Sequence, residues 1–335
     1  MDAKTNQDFI RYDQVEKRQT YQLAESEGVE EFDEEFEVRT CDMRAPDFAQ
    51  QLGDALRDIG FAILDGHGVD AALYDEAFPK VEEMFTRLTL AEKMQYRAQR
   101  FGSVNQGYFP IKETSNMHPD LVEGWVFCRR AFENPAEFWP LPEYAEFFAQ
   151  IVRAHERLIL PIMQAMLTYL GCDSHLYDAK LTGTNFGLRL NYYGPVSAED
   201  DAGGNARLLG HEDIDMFTFL PAPQIEGLQV LNRRNMKWVR IHAPRGTIVL
   251  NTGDYMQRLS NDIFPSTTHR VSKPRDPRQR QTTRTSFPMA VYLWEDELLE
   301  VLPCIPNPKY APVKAINFHT SITSKFYGDD YAVKA

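Results

Sequence analysis

The sequence predicts an α+β fold in which a mostly helical N-terminal half packs on an antiparallel jelly-roll core. Up to about residue 180, apolar residues recur at the spacing of amphipathic helices. Later they form short β-rich runs separated by turn residues, which is typical of an antiparallel sandwich or barrel. We therefore predict one structural unit, made of a polar arm over 1–38, a mainly helical region over 39–180, a β core over 181–300 and a segment over 301–335 that closes the pocket of the core.

The N-terminal part contains an acidic run and the predicted helices. The run over 25–37 is typical of a solvated arm. Apolar spacing predicts three helices, over 45–59, 72–88 and 143–171. Pro161 predicts a kink or a join in the third helix. The segment 101–110 mixes polar and aromatic residues and predicts an irregular loop of the kind that often lines a pocket.

The C-terminal half carries the predicted strands of the core. They cover 186–193, 211–220, 228–231, 238–241, 247–251, 266–271 and 283–293.

Composition excludes several classes of protein. With 335 residues, of which 43% are hydrophobic and 25% charged, the chain is that of an ordinary globular protein. Its net charge of -13 argues against binding to nucleic acid or to an anionic membrane surface. No apolar run approaches the ~18 residues of a membrane span, and the first residues lack the apolar region of a secretory signal. We therefore expect a cytoplasmic protein; the sequence leaves its oligomeric state open and is compatible with a monomer.

The four cysteines are far apart and form no C-x-x-C pair. They are Cys41, Cys128, Cys172 and Cys304. This spacing favours neither a zinc knuckle nor a disulfide framework, so we expect reduced thiols.

His211 and Asp213 are the first candidate metal ligands. In a strand, residues i and i+2 point to the same face, so the predicted strand 211–220 aims both side chains at one point. About one His-x-acid pair is expected by chance in this composition, and a second one stands at His118 and Asp120. Pro119 between those two argues against a central strand, so we expect a loop there.

His269 is the candidate third ligand, delivered by a strand that follows the turn after 247–251. Two imidazoles and one carboxylate leave half of an octahedral coordination sphere open. That arrangement suits Fe(II), because a co-substrate and dioxygen can bind at the same centre. Zinc could use the same three ligands.

Arg284 and Ser286 supply a candidate anion site, because alternate residues of the strand 283–293 share a face. A buried guanidinium is costly unless it meets an anion, and beside a hydroxyl it fits a carboxylate in bidentate fashion. The alternative is an ion pair with a carboxylate of the protein itself.

These motifs resemble those of the isopenicillin N synthase-like family of Fe(II)/2-oxoglutarate-dependent dioxygenases. The segment 189–195 resembles the family's R-x-N-Y-Y-x-P, and 211–220 resembles its H-x-D-x3-L-T-x-L. The motifs N-x-G-D, Q-x-x-S-N, H-R-V and R-x-S follow in the family's order. The resemblance extends over roughly 60–293.

The resemblance implies a double-stranded β-helix whose iron is held by His211, Asp213 and His269. It further implies that 2-oxoglutarate and O2 react at this iron, releasing succinate and CO2 while a C–H bond of a small metabolite is oxidised. Hydroxylation is the default outcome, and desaturation or ring closure also occur in the family.

The resemblance also assigns the co-substrate site. The distal carboxylate of 2-oxoglutarate would pair with Arg284 and Ser286, while Tyr193 and Asn191 resemble family residues that reach the same molecule.

Two features depart from the family pattern. Phe217 replaces a leucine after the metal-binding motif, which would narrow the apolar wall of the pocket. The basic segment 273–280 lengthens the spacing between His269 and Arg284. It is either a solvated surface turn or a patch that steers anionic ligands to the mouth of the barrel.

Three alternatives for the activity stay open from the sequence: an iron oxidase that does not use 2-oxoglutarate, a non-catalytic jelly-roll binding module and a zinc hydrolase. The substrate pocket is predicted to draw its walls from 97–132, Arg189, Phe217 and 316–327. Basic side chains near these segments favour a polar, carboxylate-bearing molecule of specialised metabolism.

Overall fold

The computed structural model describes residues 31–111, 121–197, 199–200, 207–274 and 276–327, the last four of these by their backbone alone. The polar arm up to residue 30 lies outside the described residues. So do the pair His118 and Asp120 and the basic residue Arg275.

Helices make up most of the N-terminal part, as predicted. Helix α1 (Phe48–Ile59) ends at Gly60, whose left-handed φ of 74° ends a helix at low cost for glycine. Helix α2 (Ala71–Thr86) begins where the Asp70 side chain accepts the Ala72 amide. The remaining helices are α3 (Leu90–Met94), α4 (Arg129–Glu133), α5 (Pro135–Phe138), α6 (Ala145–Tyr169), α7 (Asp178–Leu181), α8 (Asp254–Leu259), α9 (Pro277–Arg280) and α10 (Ala315–Tyr327), with a 3₁₀ turn at Pro142–Tyr144. The long helix α6 runs through Pro161 as one element.

The strands form two large sheets and a short two-stranded sheet. They are β1 (Thr40–Asp42), β2 (Phe61–Asp65), β3 (Gln99–Phe101), β4 (Val104–Phe109), β5 (Glu123–Cys128), β6 (Asn185–Tyr193), β7 (Leu208–His211), β8 (Phe217–Pro221), β9 (Leu228–Asn232), β10 (Lys237–Arg240), β11 (Ile248–Thr252), β12 (His269–Val271), β13 (Arg284–Ser286), β14 (Met289–Tyr292), β15 (Leu298–Leu299) and β16 (Val313–Lys314). The major sheet has the order β1-β2-β11-β8-β14-β6-β5-β4-β3, with β13 also paired to β6; the minor sheet has the order β10-β9-β12-β7.

The major sheet buries one face against the helices. Its largest core cluster joins residues of α1, α2 and α6 to residues of β6, β8 and β14, among them Leu56, Phe78, Ile159, Leu188 and Phe219. The minor sheet packs its own apolar side chains against β2 and β11. The space left between the two sheets holds the cavity described below.

The segment predicted as an irregular loop, 101–110, is instead the hairpin of β3 and β4, which extends the major sheet through β5. The polar residues of this segment made the strand hard to predict from sequence. In the fold their side chains form hydrogen bonds or face the cavity. The Gln106 side chain accepts the Cys128 amide at 3.0 Å, and Asn105 faces the cavity.

The cysteines also differ from expectation. Cys172, just after α6, and Cys304 are joined as a disulfide with Cα atoms 5.3 Å apart, although 132 positions separate them in sequence. Cys41 and Cys128 are free and buried. The spacing rule failed here because it detects local cysteine pairs, whereas this pair is brought together by the tertiary fold.

The basic segment 273–280 contains the short helix α9, in which exposed Arg278 pairs with Asp276 at 2.8 Å. Among the described residues, no helix combines the length and apolarity needed to cross a membrane.

Candidate active site

Two histidines face each other across the minor sheet. His211 ends β7, His269 begins β12, and the two are direct partners in the antiparallel register, with ring centroids 4.3 Å apart. Each Nδ1 lies beside a backbone carbonyl two residues earlier, at 2.9 Å from Leu209 and 3.1 Å from Thr267. When Nδ1 donates its proton there, Nε2 is the nitrogen of each ring that would coordinate a metal.

Asp213 completes a cluster of three ligand groups. Its Oδ1 lies 3.6 Å from Nε2 of His211 and 3.8 Å from Nε2 of His269. The other carboxylate oxygen, Oδ2, accepts hydrogen bonds from Asn251 and Thr218, each at 2.8 Å. One ligand atom from each of the three residues lies within 4.8 Å of the others, so the cluster can hold a metal ion with a monodentate carboxylate.

Asp213 reaches the cluster from a connection between strands, so the prediction that it shares a strand with His211 is wrong. The strand predicted over 211–220 is split, because β7 ends at 211 and β8 begins only at 217. Asp213 lies in the connection, whose carbonyls at 213 and 215 accept the amides of Asp254 and Tyr255 at 2.8 and 3.1 Å. Gly253 is required at this crossing, since a Cβ there would lie 2.3 Å from Asp215.

The pKa values of the two carboxylates in this connection shift in opposite directions. Burial alone would raise the pKa of Asp213, but His269, His211 and two hydrogen bonds outweigh it and lower that pKa. Burial and the charge of Asp213 raise the pKa of Asp215 well above its usual value. The Thr218 hydroxyl lies 2.8 Å from Asp213 and 2.6 Å from Asp215, yet it has one proton. Thr218 can therefore donate to only one of these carboxylates at a time.

A cavity of about 240 Å³ lies between the sheets, with the three ligand residues on its wall. Two imidazole nitrogens and one carboxylate oxygen fit Fe(II). In each ligand residue, the other ring nitrogen or carboxylate oxygen forms a hydrogen bond that holds the group in place. The cavity beside them leaves room for a co-substrate at the same ion.

The other predicted site residues line the same cavity. Arg284 and Ser286 in β13 pair with Tyr193 and Asn191 in β6, which places all four side chains together. The Arg284 guanidinium lies 4.9 Å from the centroid of the Tyr193 ring, and Asn191 donates to Ser286 at 3.4 Å.

Arg284 has the properties of an anion site. It is 2% exposed, and its Nε donates to the Ile225 carbonyl at 3.3 Å, while Nη1 has no partner within the described residues. No described carboxylate forms an ion pair with it, which answers the alternative raised by the sequence. An unpartnered guanidinium nitrogen in the interior is costly, and a carboxylate of 2-oxoglutarate would satisfy it.

Arg207 is a neighbour that the sequence reasoning missed. It is fully buried, donates from Nη2 to the Thr282 carbonyl at 2.9 Å, and has two nitrogens without a partner among the described residues. Burial, then the charge of Arg284, lowers its pKa to about 10. Arg284, which lines the cavity, thus has a second buried cation near it. The sequence did offer a signal for Arg207, because it is a charged residue directly before the strand that ends at His211.

The predicted substrate walls are only partly correct. Residues of 97–132, Arg189 and the C-terminal helix line the cavity. Phe217 does not: it is fully buried in the core, because along β8 it is Thr218 and Leu220 that face the cavity. The phenylalanine that stands here in place of the family's leucine therefore changes the packing of the core beneath the sheet. It does not change the cavity wall.

The fold and this cavity define a class: jelly-roll proteins with a two-histidine, one-carboxylate metal site. Comparison with known proteins agrees. Residues 184–289 match the 2OG-Fe(II) oxygenase superfamily, and residues 34–144 match the N-terminal domain described for non-haem dioxygenase in morphine synthesis.

Individual relatives point the same way. The 2-oxoglutarate-Fe(II) type oxidoreductase ppzC of Metarhizium rileyi is 28% identical over 267 residues, which cover 69% of this chain and 70% of that protein. Gibberellin 3-beta-dioxygenase 1 of Pisum sativum is 28% identical, covering 79% and 70%. The fold is also that of a full-length Neurospora crassa protein in complex with alpha-KG, with a TM-score of 0.74 at 21% identity over 87% of this chain and 98% of that one.

The chain belongs to the Fe(II)/2-oxoglutarate-dependent dioxygenases of the isopenicillin N synthase-like superfamily. It is an oxygenase that uses Fe(II), 2-oxoglutarate and O2 and acts on small molecules. The predicted jelly-roll fold and reaction class are confirmed. These findings favour the oxygenase over the binding module, the zinc hydrolase and the oxidase that does not use 2-oxoglutarate.

Proposed function

We propose that this enzyme hydroxylates a small carboxylate-bearing metabolite at an iron held by His211, Asp213 and His269. One observation carries the assignment: a single cavity has the three ligand groups on its wall and an unpartnered buried guanidinium nitrogen, that of Arg284, at one end. When bound, Fe(II) would let 2-oxoglutarate and O2 supply the oxidant for the C–H bond, with one oxygen atom going to the substrate, the other to succinate, and CO2 released.

In this proposal the residues of β6 and β13 hold the co-substrate. Arg284 and the hydroxyl of Ser286 bind its distal carboxylate, and Tyr193 and Asn191 complete the wall. Because Arg284 is buried, the ion pair would form away from bulk water, where it is both stronger and more selective.

Arg189 is the proposed anchor of the substrate carboxylate. It lies on the cavity-facing side of β6, two residues before Asn191, whose side-chain oxygen accepts its Nε at 2.8 Å. The guanidinium also lies 5.7 Å from the ring centroid of Phe109. These contacts fix the plane of the guanidinium and leave its terminal nitrogens for an acceptor, which would orient one C–H bond toward the iron.

The test is a screen of small carboxylic acids and their uncharged amides for substrate-stimulated succinate release, with products read by mass spectrometry for the gain of one oxygen atom. We expect some of the acids to stimulate turnover. The Arg189→Met variant should still bind 2-oxoglutarate, but its KM for such an acid should be about 100-fold higher than that of wild type. The exposed variant Arg278→Ala is the matched control. Turnover restricted to uncharged compounds would contradict the carboxylate assignment.

A cytoplasmic location, which the sequence leads us to expect, is part of the proposal. The Cys172–Cys304 bond provides a test, since disulfides are rare in the reducing cytosol. Alkylation of free thiols in intact cells, before lysis can oxidise them, should find these two cysteines largely reduced if the protein is cytoplasmic. A fully formed disulfide in such cells would contradict this location.

A further inference from the structure

His319 is a polar residue of the cavity wall that no step above uses. It lies in α10, is only 6% exposed, and borders the cavity together with Tyr292 of β14. The ring centroids of His319 and Tyr292 are 5.6 Å apart.

The register of β6 places His319 at the end of the cavity away from the co-substrate. Tyr292 pairs with Asn185, and Arg284 pairs with Tyr193, at opposite ends of the same strand. Arg189 lies midway between them. At ~3.3 Å per residue, the level of His319 is roughly 13 Å from that of Arg189 along the strand.

Hydrogen bonding to Tyr255 determines which ring nitrogen carries the proton. The Tyr255 hydroxyl lies 3.2 Å from the Ala315 carbonyl and 3.3 Å from Nδ1 of His319. If Tyr255 donates to the carbonyl and Nδ1 donates to Tyr255, both hydrogen bonds form at once. The opposite tautomer allows only one of them. The first arrangement leaves Nε2 as an acceptor, and this atom has no partner within the described residues.

The ring stays neutral over the physiological range. Burial, then the nearby charge of Arg100, lowers the pKa of His319 to about 3. His319 therefore cannot serve as a second cation for an anionic substrate, and its contribution to recognition is the lone pair of Nε2.

We propose that Nε2 of His319 accepts a hydrogen bond from a hydroxyl or N–H group of the substrate. This inference rests on the proposed function and refines it. The substrate class becomes a small hydroxy- or amino-substituted carboxylic acid, with its carboxylate at Arg189 and its donor group at His319. A buried acceptor of this kind discriminates against analogues that lack the donor, because it would then remain unsatisfied.

The experiment compares three probes that differ at one position: 4-hydroxyphenylacetate, 4-methoxyphenylacetate and phenylacetate. Their binding to the anaerobic Fe(II)- and 2-oxoglutarate-loaded enzyme is measured by calorimetry. Wild type should bind the hydroxy acid about fivefold to tenfold more tightly than either analogue. His319→Leu should abolish that preference while leaving phenylacetate affinity unchanged, and His319→Gln, which keeps an acceptor, should restore part of it.

Thr323→Val is the matched control, because Thr323 also lines the cavity but uses its hydroxyl on the His319 carbonyl at 3.0 Å. It should keep the preference. Equal binding of the three acids to wild type, no binding of any of them, or a preference that survives in His319→Leu would overturn the inference. Failure of the proposed function would appear in other measurements. The acid screen would show no succinate release, or Arg189→Met would bind the acids as well as wild type does.

Discussion

His211 and His269 are direct partners across the antiparallel pair of β7 and β12, so the geometry of the proposed metal site is set by the register of the minor sheet. A shift of one residue between these strands would turn one imidazole to the face opposite the other. The ring of Phe61 packs edge-on against His269, with centroids 5.3 Å apart. The N-terminal strand β2 therefore supports the orientation of a proposed ligand that lies far later in the chain.

Replacing Arg284 with methionine should weaken 2-oxoglutarate binding. The side chain is buried and has an unpartnered nitrogen, so its loss should cost about 3 kcal/mol, or roughly 100-fold in affinity. The measurement is an anaerobic titration of the Fe(II) enzyme with 2-oxoglutarate, with Arg278→Ala as control. If Arg284→Met bound the co-substrate as well as wild type, Arg284 would not be the carboxylate site.

Replacing Thr218 with valine should weaken metal binding without removing a ligand. The hydroxyl joins Asp213 to Asp215, and the loss of such supporting hydrogen bonds typically costs about 10-fold to 100-fold in metal affinity. The control is Thr285→Val, which changes a strand threonine whose hydroxyl lies near the Phe78 carbonyl instead. Equal Fe(II) affinities for the two variants would show that Thr218 does not support the ligand.

Most of the candidate site could be proposed from sequence because its residues stand in motifs with a known order. His269 and Arg284 follow His211 as expected, and all seven predicted site residues line one cavity. The position of Asp213 in a connection was not predictable, because it depends on backbone hydrogen bonds to Asp254 and Tyr255, about 40 residues later.

What the sequence could not supply depends on contacts between distant residues. The hairpin of β3 and β4 hides its polar side chains in the fold, and the Cys172–Cys304 bond spans 132 positions. The tautomer of His319 depends on Tyr255, 64 positions earlier. No local periodicity reports such contacts.

His155 should make the fold sensitive to acid. It is fully buried, its Nε2 lies 3.0 Å from the Tyr74 hydroxyl, and burial followed by the charge of His67 lowers its pKa to about 3. The unfolded state binds a proton below about pH 6.5 while the native state does not, so stability is lost as pH falls from 6.5 toward 3.

This loss should amount to roughly 2 kcal/mol for His155 at pH 5. Urea unfolding at pH 7.5 and pH 5 measures it. His155→Gln keeps a partner for Tyr74 but does not titrate, so its stability should fall less between the two pH values. An identical fall in the variant and in wild type would exclude His155 as a cause.

The disulfide should stabilise the fold by tying the end of α6 to the segment that leads into α10. Closing a loop of 132 positions restricts the unfolded chain by about 5 kcal/mol in the chain-entropy model. Calorimetry should show a midpoint several degrees lower for the Cys172→Ser/Cys304→Ser double variant. The control variant Cys41→Ser keeps the crosslink. Reductant should therefore lower its unfolding midpoint by the same amount as in wild type. Equal midpoints for oxidised and reduced wild type would contradict the prediction.

The most direct test of the account is anaerobic binding of Fe(II), followed by 2-oxoglutarate, to wild type and to Asp213→Ala. Wild type should bind one Fe(II) per chain and develop the visible absorption of an iron-bound 2-oxo acid, whereas Asp213→Ala should lose both at equal protein concentration. Full iron binding and unchanged absorption in Asp213→Ala would contradict the assignment of His211, Asp213 and His269 as the iron site.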